Sequence, residues 1–298
     1  MAEGGVLVLA GATASGKTEL ALDLARRFDA EIVGADSRQI YRDMPIGTAA
    51  PAPEALREIA HHCVGFLDPY LRYSAGAFER DALAAIAAIQ ARGKRAIVVG
   101  GTGFYIRALT GGVALARAYD ADVRARLVRE AAVHASAFLH EWLMLLDARR
   151  AAALDPNDTY RILRALEVAL SGETLDERNG DDVRPPFVKV ALDVPLATID
   201  ERIEMRTRAM IDRGLLEEAE RIGAGAEAAS AVGYPQALAF LRGWSSNDEM
   251  YVTLVRATKR YARRQLAWFR REPGMEWAAP QALPGIAREK LGWREKGG

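Results

Sequence analysis

The chain has 298 residues, half of them hydrophobic, and its 40 Lys and Arg side chains are balanced by 40 Asp and Glu side chains. This length is enough for one large core, or for a core domain that carries an insertion. No apolar run approaches the ~20 residues of a membrane-spanning helix, and no signal-peptide pattern opens the chain, so we expect no membrane partner. The formal net charge of zero removes overall basicity as a sign of nucleic-acid binding, although it leaves room for a local basic surface.

The single cysteine, Cys63, excludes a disulfide framework and fits a reducing compartment such as the cytoplasm. It follows His61 and His62, and these residue types can bind metals. Because the side chains of adjacent residues diverge, we expect a turn here rather than a metal site, followed by a strand at Val64–Phe66.

The first element is an apolar strand at Val6–Ala10, and it runs directly into a glycine-rich loop. The residues of this loop are, in order, Gly11, Ala12, Thr13, Ala14, Ser15, Gly16, Lys17 and Thr18. A helix that begins at Lys17 turns its positive N-terminus toward the point that the N–H groups of the loop also face, and an anion is favoured there. Lys17 adds an ammonium group, and Thr18 places a hydroxyl where a Mg²⁺ ion bridging phosphate oxygens would lie. This strand, loop and helix therefore predict a polyphosphate site.

Strands and helices alternate over the N-terminal third of the chain. The predicted strands are Val6–Ala10, Glu31–Ala35, Val64–Phe66 and Arg95–Val99, and the predicted helices begin at Lys17 or lie in Pro53–Ala60 and Ser74–Ala91. This order predicts an α/β fold whose core is P-loop NTPase-like and built on a parallel sheet. Since parallel strands end at one edge, the glycine-rich loop, Asp36–Ser37 and Gly100–Gly103 should converge on one crevice.

From about Asp120 to Thr174 the pattern is wholly helical and rich in Ala, Arg and Leu, which predicts an inserted all-helical subdomain. The polar segment Gly172–Pro186 would be the return linker, and Phe187–Asp193 another core strand. The expected organisation is a first part of the core at 1–118, the helical insertion at 119–180, and a return to the core with basic C-terminal helices at 181–298.

Two capping boxes mark helix starts in the last part of the chain. Thr198–Glu201 predicts a helix that carries Arg206, and Ser246–Glu249 predicts a long helix that ends near Arg271. Residues 256–271 of the long helix hold seven basic side chains and no acidic one. Those that can share one charged side are Arg256, Lys259, Arg260, Arg263 and Arg264. Such a stripe is usually just a solvated helix face, but it also suits contacts with RNA phosphates.

Asp36 lies at the predicted crevice, directly after the second strand. A phosphoryl-transfer enzyme with this kind of loop usually places a second acidic residue at the end of a neighbouring strand, where it holds Mg²⁺. The best-formed strand, Ala96–Val99, ends instead in Gly100–Gly101. Asp36 could therefore be the metal ligand of a kinase, the general base for another substrate, or the N-cap of the next turn.

The segment Asp36-Ser-Arg-Gln-Ile-Tyr41 opens a series of motifs that covers roughly residues 5 to 272. Further segments of the series are Ile46–Ala49, His61–His62, Tyr73–Gly76, Val99–Gly103, Asp122–Arg124, Pro156–Asp158, Arg164–Glu167, Arg202–Arg206, Gly214–Leu216, Val232–Tyr234 and Arg263–Arg270. In order and in spacing this series resembles the tRNA dimethylallyltransferases. Members of that family alkylate the exocyclic N6 of adenine 37, beside the anticodon of tRNA.

The resemblance implies how the crevice would work. The glycine-rich loop would bind the diphosphate of dimethylallyl diphosphate, and Thr18 would hold Mg²⁺ there. Lys17 and Arg206 would grip the diphosphate from opposite sides, since the planar fork of arginine suits phosphate oxygens. Asp36 would accept a proton from the adenine amine as N6 attacks the allylic carbon, and Thr102 would form a hydrogen bond near the reacting centre.

The resemblance also implies a tRNA surface, because a stacked adenine must be extruded from the anticodon loop before it can enter such a crevice. The residues implied to contact tRNA are Asp36, Ser37, Arg38, Gln39, Thr102, Arg124, Tyr160, Arg161, Arg164, Arg263, Arg264, Gln265, Trp268 and Arg270. Those in the helical insertion would form a second RNA-contacting edge. We expect a cytoplasmic monomer whose substrates are the anticodon stem-loop of tRNA and dimethylallyl diphosphate.

The chain departs from the family pattern at several positions. Ala12 replaces a usual proline, Asp155 a usual histidine and Tyr160 a usual glutamine. Ser230 and Pro235 stand where the family often has basic residues, which leaves that segment the least suited to RNA. None of these changes removes a group with an implied catalytic role.

Other functions fit part of the pattern. A small-molecule kinase would use the loop for ATP, but it needs a second magnesium-binding acid. A nucleotide-switched RNA-binding module explains the basic helix, but it leaves Asp36, Thr102 and Arg206 without a joint purpose. Prenylation of a free adenine nucleotide explains the crevice, but it needs neither the helical insertion nor the basic helix. We therefore favour a tRNA prenyltransferase.

Overall fold

The computed structural model describes residues 4–113, 121–170 and 184–296, with residue 121 described by its backbone alone. The chain divides into two compact units, residues 1–110 with 184–298, and residues 111–183. The predicted helical insertion, 119–180, falls inside the second unit. Its predicted beginning near Asp120, and the predicted return linker Gly172–Pro186 as far as residue 183, lie outside the described residues.

A six-stranded sheet forms the centre of the first unit among the residues described. Its strands are β1 (Val6–Ala10), β2 (Ala30–Gly34), β3 (His61–His62), β4 (Arg95–Gly100), β5 (Phe187–Leu192) and β6 (Met275–Ala278). The spatial order is β3-β2-β4-β1-β5-β6, and every neighbouring pair is parallel. Strands β1 and β2 are buried at every position, as expected when helices cover both faces of a sheet. The predicted α/β class with a parallel core is confirmed.

Helices make up most of the remaining described structure. In chain order they are α1 (Lys17–Phe28), α2 (Pro53–Glu58), α3 (Ala75–Ala91), α4 (Gly103–Leu109), α5 (Ala121–Val133), α6 (Ser136–Leu146), α7 (Ala148–Ala152), α8 (Thr159–Leu170), α9 (Leu196–Asp212), α10 (Leu215–Ile222), α11 (Tyr234–Leu241), α12 (Asn247–Arg270) and α13 (Leu283–Leu291). Helices α5 to α8 belong to the second unit, and the others belong to the first. No helix of the described ranges is both long and apolar enough to cross a membrane.

Helix α1 is held against the sheet by its apolar side. Leu24 and Phe28 recur at helical spacing, and both are buried in one cluster with Leu7 and Leu9 of β1. Burial of a leucine or phenylalanine side chain contributes ~1.5–3 kcal/mol relative to exposure. This packing fixes the N-terminus of α1 at the carboxyl end of β1.

The second unit has a core of its own. Its described residues form helices α5 to α8, and the side chains that meet between them are apolar. The fully buried members include Leu127 of α5, Leu139 and Leu143 of α6, and Ile162 and Leu166 of α8. The predicted helical character of the insertion is therefore confirmed for residues 121–170.

The strand predicted at Val64–Phe66 is wrong in its position. The paired residues are His61 and His62, which form β3 beside β2. The chain then turns away because Cys63 and Gly65 both have left-handed backbone angles, with φ of 58° and 61°. The turn predicted at residues 61–63 therefore begins two residues later, at Cys63.

Two further details of the fold differ from what the sequence predicted. Helix α9 begins at Leu196 after Pro195, so Thr198 lies inside the helix and is not its N-cap. Pro195 itself stays outside the helix as its N-cap, with φ of −53° and ψ of 137°. Strand β6, Met275–Ala278, was not predicted, because four residues at a sheet edge are too short to show a clear alternation. The capping box at Ser246–Glu249 is confirmed.

Candidate active site

The glycine-rich loop leaves β1 at Gly11 and enters α1 at Lys17. Two of its residues have left-handed backbone angles, Ala14 with φ of 63° and Gly16 with φ of 88°. The Ser15 N–H donates to the Ala12 carbonyl over 3.2 Å and closes the turn. Ser15 is 2% exposed, and its hydroxyl has no hydrogen-bond partner among the described residues. A buried hydroxyl without a partner is costly, so the loop offers an unused donor at the predicted phosphate site.

Lys17 folds back over the loop. Its ammonium donates to the Ala12 carbonyl over 3.2 Å. Burial lowers the pKa of Lys17 to about 8; the Asp36 carboxylate opposes this shift, and the Arg206 guanidinium adds to it. A cation held in this environment gains strongly from a bound anion, because the anion offsets the loss of hydration.

Helix α9 brings arginines to the other side of the loop. The Arg206 guanidinium donates to the Thr13 hydroxyl. Burial lowers the pKa of Arg206, while the carboxylates of Glu19 and Asp36 oppose the shift. Arg202, which sequence reasoning gave no role, donates to the Ser15 carbonyl over 3.3 Å. The loop is therefore flanked by Lys17 from α1 and by two arginines from α9.

Thr18 carries the implied Mg²⁺ site. Its hydroxyl makes no hydrogen bond to any residue of the described ranges, so it is free to bind a ligand. The same ranges hold no group of three or more His, Cys, Asp or Glu residues that could bind a metal ion on its own. One hydroxyl beside a diphosphate fits Mg²⁺, since this ion is usually held by few protein groups together with substrate phosphates.

The turn after β2 lies against the turn after β4. The Thr102 N–H donates to the Ala35 carbonyl over 3.2 Å, and the Ser37 N–H donates to the Thr102 hydroxyl over 2.9 Å. Asp36 accepts the Arg38 N–H on Oδ1 over 2.9 Å, while Oδ2 makes no hydrogen bond among the described residues. Asp36 thus caps its own turn and keeps one carboxylate oxygen for other chemistry.

The glycines after β4 are required by close packing. A Cβ on Gly100 would lie 2.0 Å from the Ala35 carbonyl oxygen. A Cβ on Gly101 would lie 2.1 Å from Nε2 of Gln265, and one on Gly103 would lie 2.1 Å from the Trp268 ring. The Gly-Gly-Thr-Gly turn is therefore wedged between β2 and helix α12, and this is what brings α12 to the crevice.

Tyr261 of α12 was missed as a site residue. Burial raises the pKa of the Tyr261 hydroxyl above its usual range, the Asp36 carboxylate raises it further, and a hydrogen bond with the Thr102 side chain acts in the opposite direction. The ring of Tyr261 also lies 5.6 Å from the Arg264 guanidinium. Tyr261 therefore belongs to the Asp36–Thr102 side of the crevice.

The basic stripe of α12 is divided. Lys259 contacts Glu204 of α9 at 2.6 Å, and Arg263 contacts Asp200 of α9 at 2.8 Å. Arg256 and Arg260 are exposed and have no acidic partner within the described ranges. Helices α9 and α12 border a groove of about 550 Å³ whose wall includes all four of these cations.

Three predicted tRNA contacts are engaged inside the protein. Gln265 is 5% exposed and forms hydrogen bonds at both ends of its amide, to the Thr13 N–H and to the Gly101 carbonyl. The Gln39 amide donates to the carbonyls of residues 48 and 49, over 3.1 and 2.9 Å. Trp268 packs with its ring centroid 4.5 Å from the Arg107 guanidinium. Their placement supports roles in shaping the crevice.

The segment around Val232–Tyr234 also proves to be an internal anchor. The buried carboxylate of Glu218 accepts hydrogen bonds from the Ile46 N–H, the Gly47 N–H and the Tyr234 hydroxyl, at 2.9, 2.7 and 2.7 Å. Arg38 donates to the hydroxyl of Ser230 over 3.1 Å. The hydrogen bonds to Glu218 fix the segment that follows Asp36. Ser230, although it is not basic, has Arg38 as a hydrogen-bond partner.

In the second unit, the predicted contact residues surround a buried acid. Glu167 forms ion pairs with Arg164 at 2.8 Å and with Arg124 at 3.6 Å. Tyr160 is 68% exposed, and its ring lies 6.0 Å from the Arg124 guanidinium. Arg161 is exposed and pairs with Asp158 at 3.4 Å. The most accessible of these predicted residues are therefore Tyr160 and Arg161.

Comparison with known proteins points to one family. Residues 39–272 match the family model described as IPP transferase, and residues 4–64 match the model described as isopentenyl transferase. The chain is 40% identical over 282 residues to the tRNA dimethylallyltransferase of Geobacter sulfurreducens, covering 91% of each chain. It is 43% identical over 287 residues to the tRNA dimethylallyltransferase of Anaeromyxobacter dehalogenans, covering 94% of this chain and 96% of that one.

A solved structure shares the fold along nearly its whole length. The tRNA isopentenylpyrophosphate transferase of Bacillus halodurans superposes with a TM-score of 0.70 at 30% identity, covering 97% of this chain and 96% of that one. A family model that matches most of the chain, relatives with 40% identity or more, and a shared P-loop fold lead to one assignment. The chain belongs to the IPP transferase family.

Proposed function

We propose that the protein transfers a dimethylallyl group from dimethylallyl diphosphate to N6 of adenine 37 in the anticodon loop of tRNA. The N6 lone pair attacks the allylic carbon, the bond from that carbon to the diphosphate oxygen breaks, and diphosphate leaves with the electron pair. The proton lost by N6 passes to Asp36. The observation that carries this proposal is geometric. Gln265 joins the Thr13 N–H of the loop to the Gly101 carbonyl, and the next residue, Thr102, accepts the Ser37 N–H beside Asp36.

The leaving group is stabilised by charge placed in advance. Lys17 and Arg206 lie on two sides of the loop, and Arg202 lies against the Ser15 carbonyl. Fixed cations and N–H groups aimed at a leaving diphosphate stabilise the transition state more than they would in water. Mg²⁺, held by the Thr18 hydroxyl together with diphosphate oxygens, would supply further neutralisation of the negative charge when bound.

The acceptor is activated mainly by placement. An exocyclic amine is a weak nucleophile, so orientation against the allylic carbon contributes as much as proton removal. Tyr261 lies close enough to Asp36 and Thr102 for both to act on the pKa of its hydroxyl, and Thr102 also holds the backbone of Ser37. An adenine extruded from the anticodon loop would be oriented by this group of side chains.

The exposed cations of α12 supply an RNA surface despite the zero net charge. Arg256 and Arg260 have no acidic partner in the described ranges, so they can contact phosphates without breaking an ion pair. In the second unit, Tyr160 and Arg161 are exposed and would contribute further contacts. That the enzyme acts as a cytoplasmic monomer stays a prediction.

The test is transfer of label from dimethylallyl diphosphate to bulk tRNA, with free AMP as an alternative acceptor and ATP as an alternative donor. We expect label on an anticodon-loop adenine, with no requirement for ATP. Label on AMP alone would move the function to prenylation of free nucleotides. Turnover of ATP with a small acceptor, without label on RNA, would identify the loop as a kinase site and overturn the proposal.

A further inference from the structure

Gln265 occupies an unusual position for a residue on a basic helix. It is 5% exposed, and its amide is used at both ends. Its Oε1 accepts the Thr13 N–H of the glycine-rich loop over 2.8 Å, and its Nε2 donates to the Gly101 carbonyl over 2.9 Å. One side chain therefore joins the donor loop to the turn that follows β4.

Both partners of Gln265 are attached to groups with chemical roles. Thr13 receives the Arg206 guanidinium on its hydroxyl, so the Thr13 N–H and the Thr13 side chain are fixed from two directions. Gly101 is followed by Thr102, whose hydroxyl accepts the Ser37 N–H next to Asp36. The amide of Gln265 thus joins the proposed diphosphate-binding loop to the turn after β4, and that turn holds the Ser37 backbone next to Asp36.

The fit around this amide is close. A Cβ on Gly101 would lie 2.1 Å from Nε2 of Gln265, so any side chain at residue 101 would displace the amide. A buried amide with both ends satisfied is costly to break, because loss of one partner leaves the other without a hydrogen bond. The pairing of Ala10 with Gly100 already places the start of the loop beside the turn, and the Gln265 amide then fixes the Thr13 end of the loop against that turn.

We infer that Gln265 is a positioning residue that fixes Thr13 of the donor loop against the turn beside Asp36, and that it does not bind tRNA directly. This inference rests on the proposed prenyl transfer. Displacement of a reacting group by about 1 Å can cost 10²-fold in rate, because the reaction depends on alignment of the attacking and leaving atoms. Loss of the bridge should therefore lower kcat while leaving tRNA affinity intact.

The first variant is Gln265→Met, which keeps the length of the side chain and removes both hydrogen bonds. We expect kcat at saturating donor and tRNA to fall by about 10²-fold, with the Kd for tRNA unchanged. The control is Arg260→Gln, on the exposed side of the same helix. Because Arg260 is a proposed tRNA contact, this variant should raise the Kd for tRNA. The same pattern in Gln265→Met would overturn the inference.

Two further variants keep the test independent of folding defects. Gln265→Glu loses the donor while ionised and regains one when protonated, so its kcat relative to the unaltered enzyme should rise as the pH falls. Gly101→Ala should displace the same amide, and combining it with Gln265→Met should cost less than the product of the two single losses. The inference is contradicted if the ratio of kcat in Gln265→Glu to kcat in the unaltered enzyme does not change with pH, and if the double variant loses the full product of the two single losses.

Melting temperatures, measured for each variant, show whether an effect comes from unfolding. The unaltered enzyme separates the two proposals, since absence of label transfer to tRNA would refute the proposed function itself. Transfer by the unaltered enzyme, with kcat in Gln265→Met also unaltered, would refute the positioning role alone.

Discussion

The two ends of the crevice are built in different ways. The proposed donor end is one continuous segment, residues 11–18, closed by its own backbone hydrogen bond and flanked by cations from α1 and α9. The proposed acceptor end is assembled from the turn after β2, the turn after β4 and the middle of α12. A single local motif makes the first, whereas three distant parts of the chain make the second.

Because the two ends are built differently, we expect substitutions at each end to change different kinetic quantities. The donor end works through charge, so a substitution there should change diphosphate affinity and the stability of the leaving group. The acceptor end works through geometry and proton transfer, so a substitution there should change kcat at saturating substrates. Kinetic measurements on matched variants can therefore confirm or break this division.

The largest effect is expected for Asp36→Asn. The amide keeps an oxygen to accept the Arg38 N–H, which preserves the turn, but it cannot take a proton from the adenine amine. We expect kcat to fall by about 10²–10⁴-fold with dimethylallyl diphosphate affinity largely kept. Single-turnover rates and donor Kd values check this outcome. A variant that keeps its turnover would remove Asp36 as the base and break the division at its acceptor end.

Arg206→Ala tests the donor end. Loss of the guanidinium beside Thr13 should lower kcat by about 10²-fold and also raise the KM for dimethylallyl diphosphate, because the same cation acts on bound and departing diphosphate. Arg202→Ala is the matched comparison, since Arg202 contacts a backbone carbonyl of the loop and should have a smaller effect. An effect of Arg206→Ala on tRNA affinity alone would show that the two ends are not separable.

The pH dependence of donor binding sharpens the electrostatic account. Burial lowers the pKa of Lys17 to about 8, so the amine is charged below that pH and neutral above it. Bound diphosphate favours the charged form, and affinity should therefore be full below pH 8 and decline above it, by at most about tenfold per pH unit. Lys17→Arg stays charged and should flatten the decline. The test is to measure the Kd for dimethylallyl diphosphate at a series of pH values in the unaltered enzyme and in Lys17→Arg. If the Kd depends on pH equally in both proteins, Lys17 is not the titrating group.

The smallest expected effects concern the α12 surface. Replacing Arg256 and Arg260 together by Gln should weaken tRNA binding. The slope of log Kd against log salt concentration should also become shallower, by about one for each phosphate contact that is lost. Replacing Lys259 and Arg263 should change this slope less, because each already pairs with an acid of α9. Binding isotherms at several salt concentrations distinguish the pairs. Equal slopes would mean that tRNA breaks the ion pairs with α9.

The fold was predictable where neighbours in sequence are neighbours in space. Strand β1, the glycine-rich loop and helix α1 form one local unit, and apolar periodicity is enough to identify them. Strand β3 is only His61–His62, and β6 is four residues at a sheet edge. Their pairing depends on partners elsewhere in the sheet, so local pattern could not locate them.

The candidate site was likewise predictable only where its residues lie next to a recognisable element in the sequence. Asp36 and the loop were found because each directly follows a predicted strand. Tyr261 is one aromatic residue on an amphipathic helix, and only the folded structure places it near Asp36 and Thr102. Gln265 was expected to contact tRNA from its place in a motif, whereas its burial directs the amide inward. The available signal was its helical spacing from the buried residues Ala262 and Phe269, which lie on the same interior side of α12.

Helix α12 contacts the donor loop through Gln265 and presents Arg256 and Arg260 outward. A rigid element shared by two binding sites links their affinities. If tRNA changes the affinity for the donor by some factor, thermodynamic linkage requires that the donor change the affinity for tRNA by the same factor. The same requirement holds for the two products with a factor of their own. Inorganic diphosphate that stays on the loop would raise or lower the affinity for modified tRNA by the factor by which that tRNA changes the affinity for diphosphate.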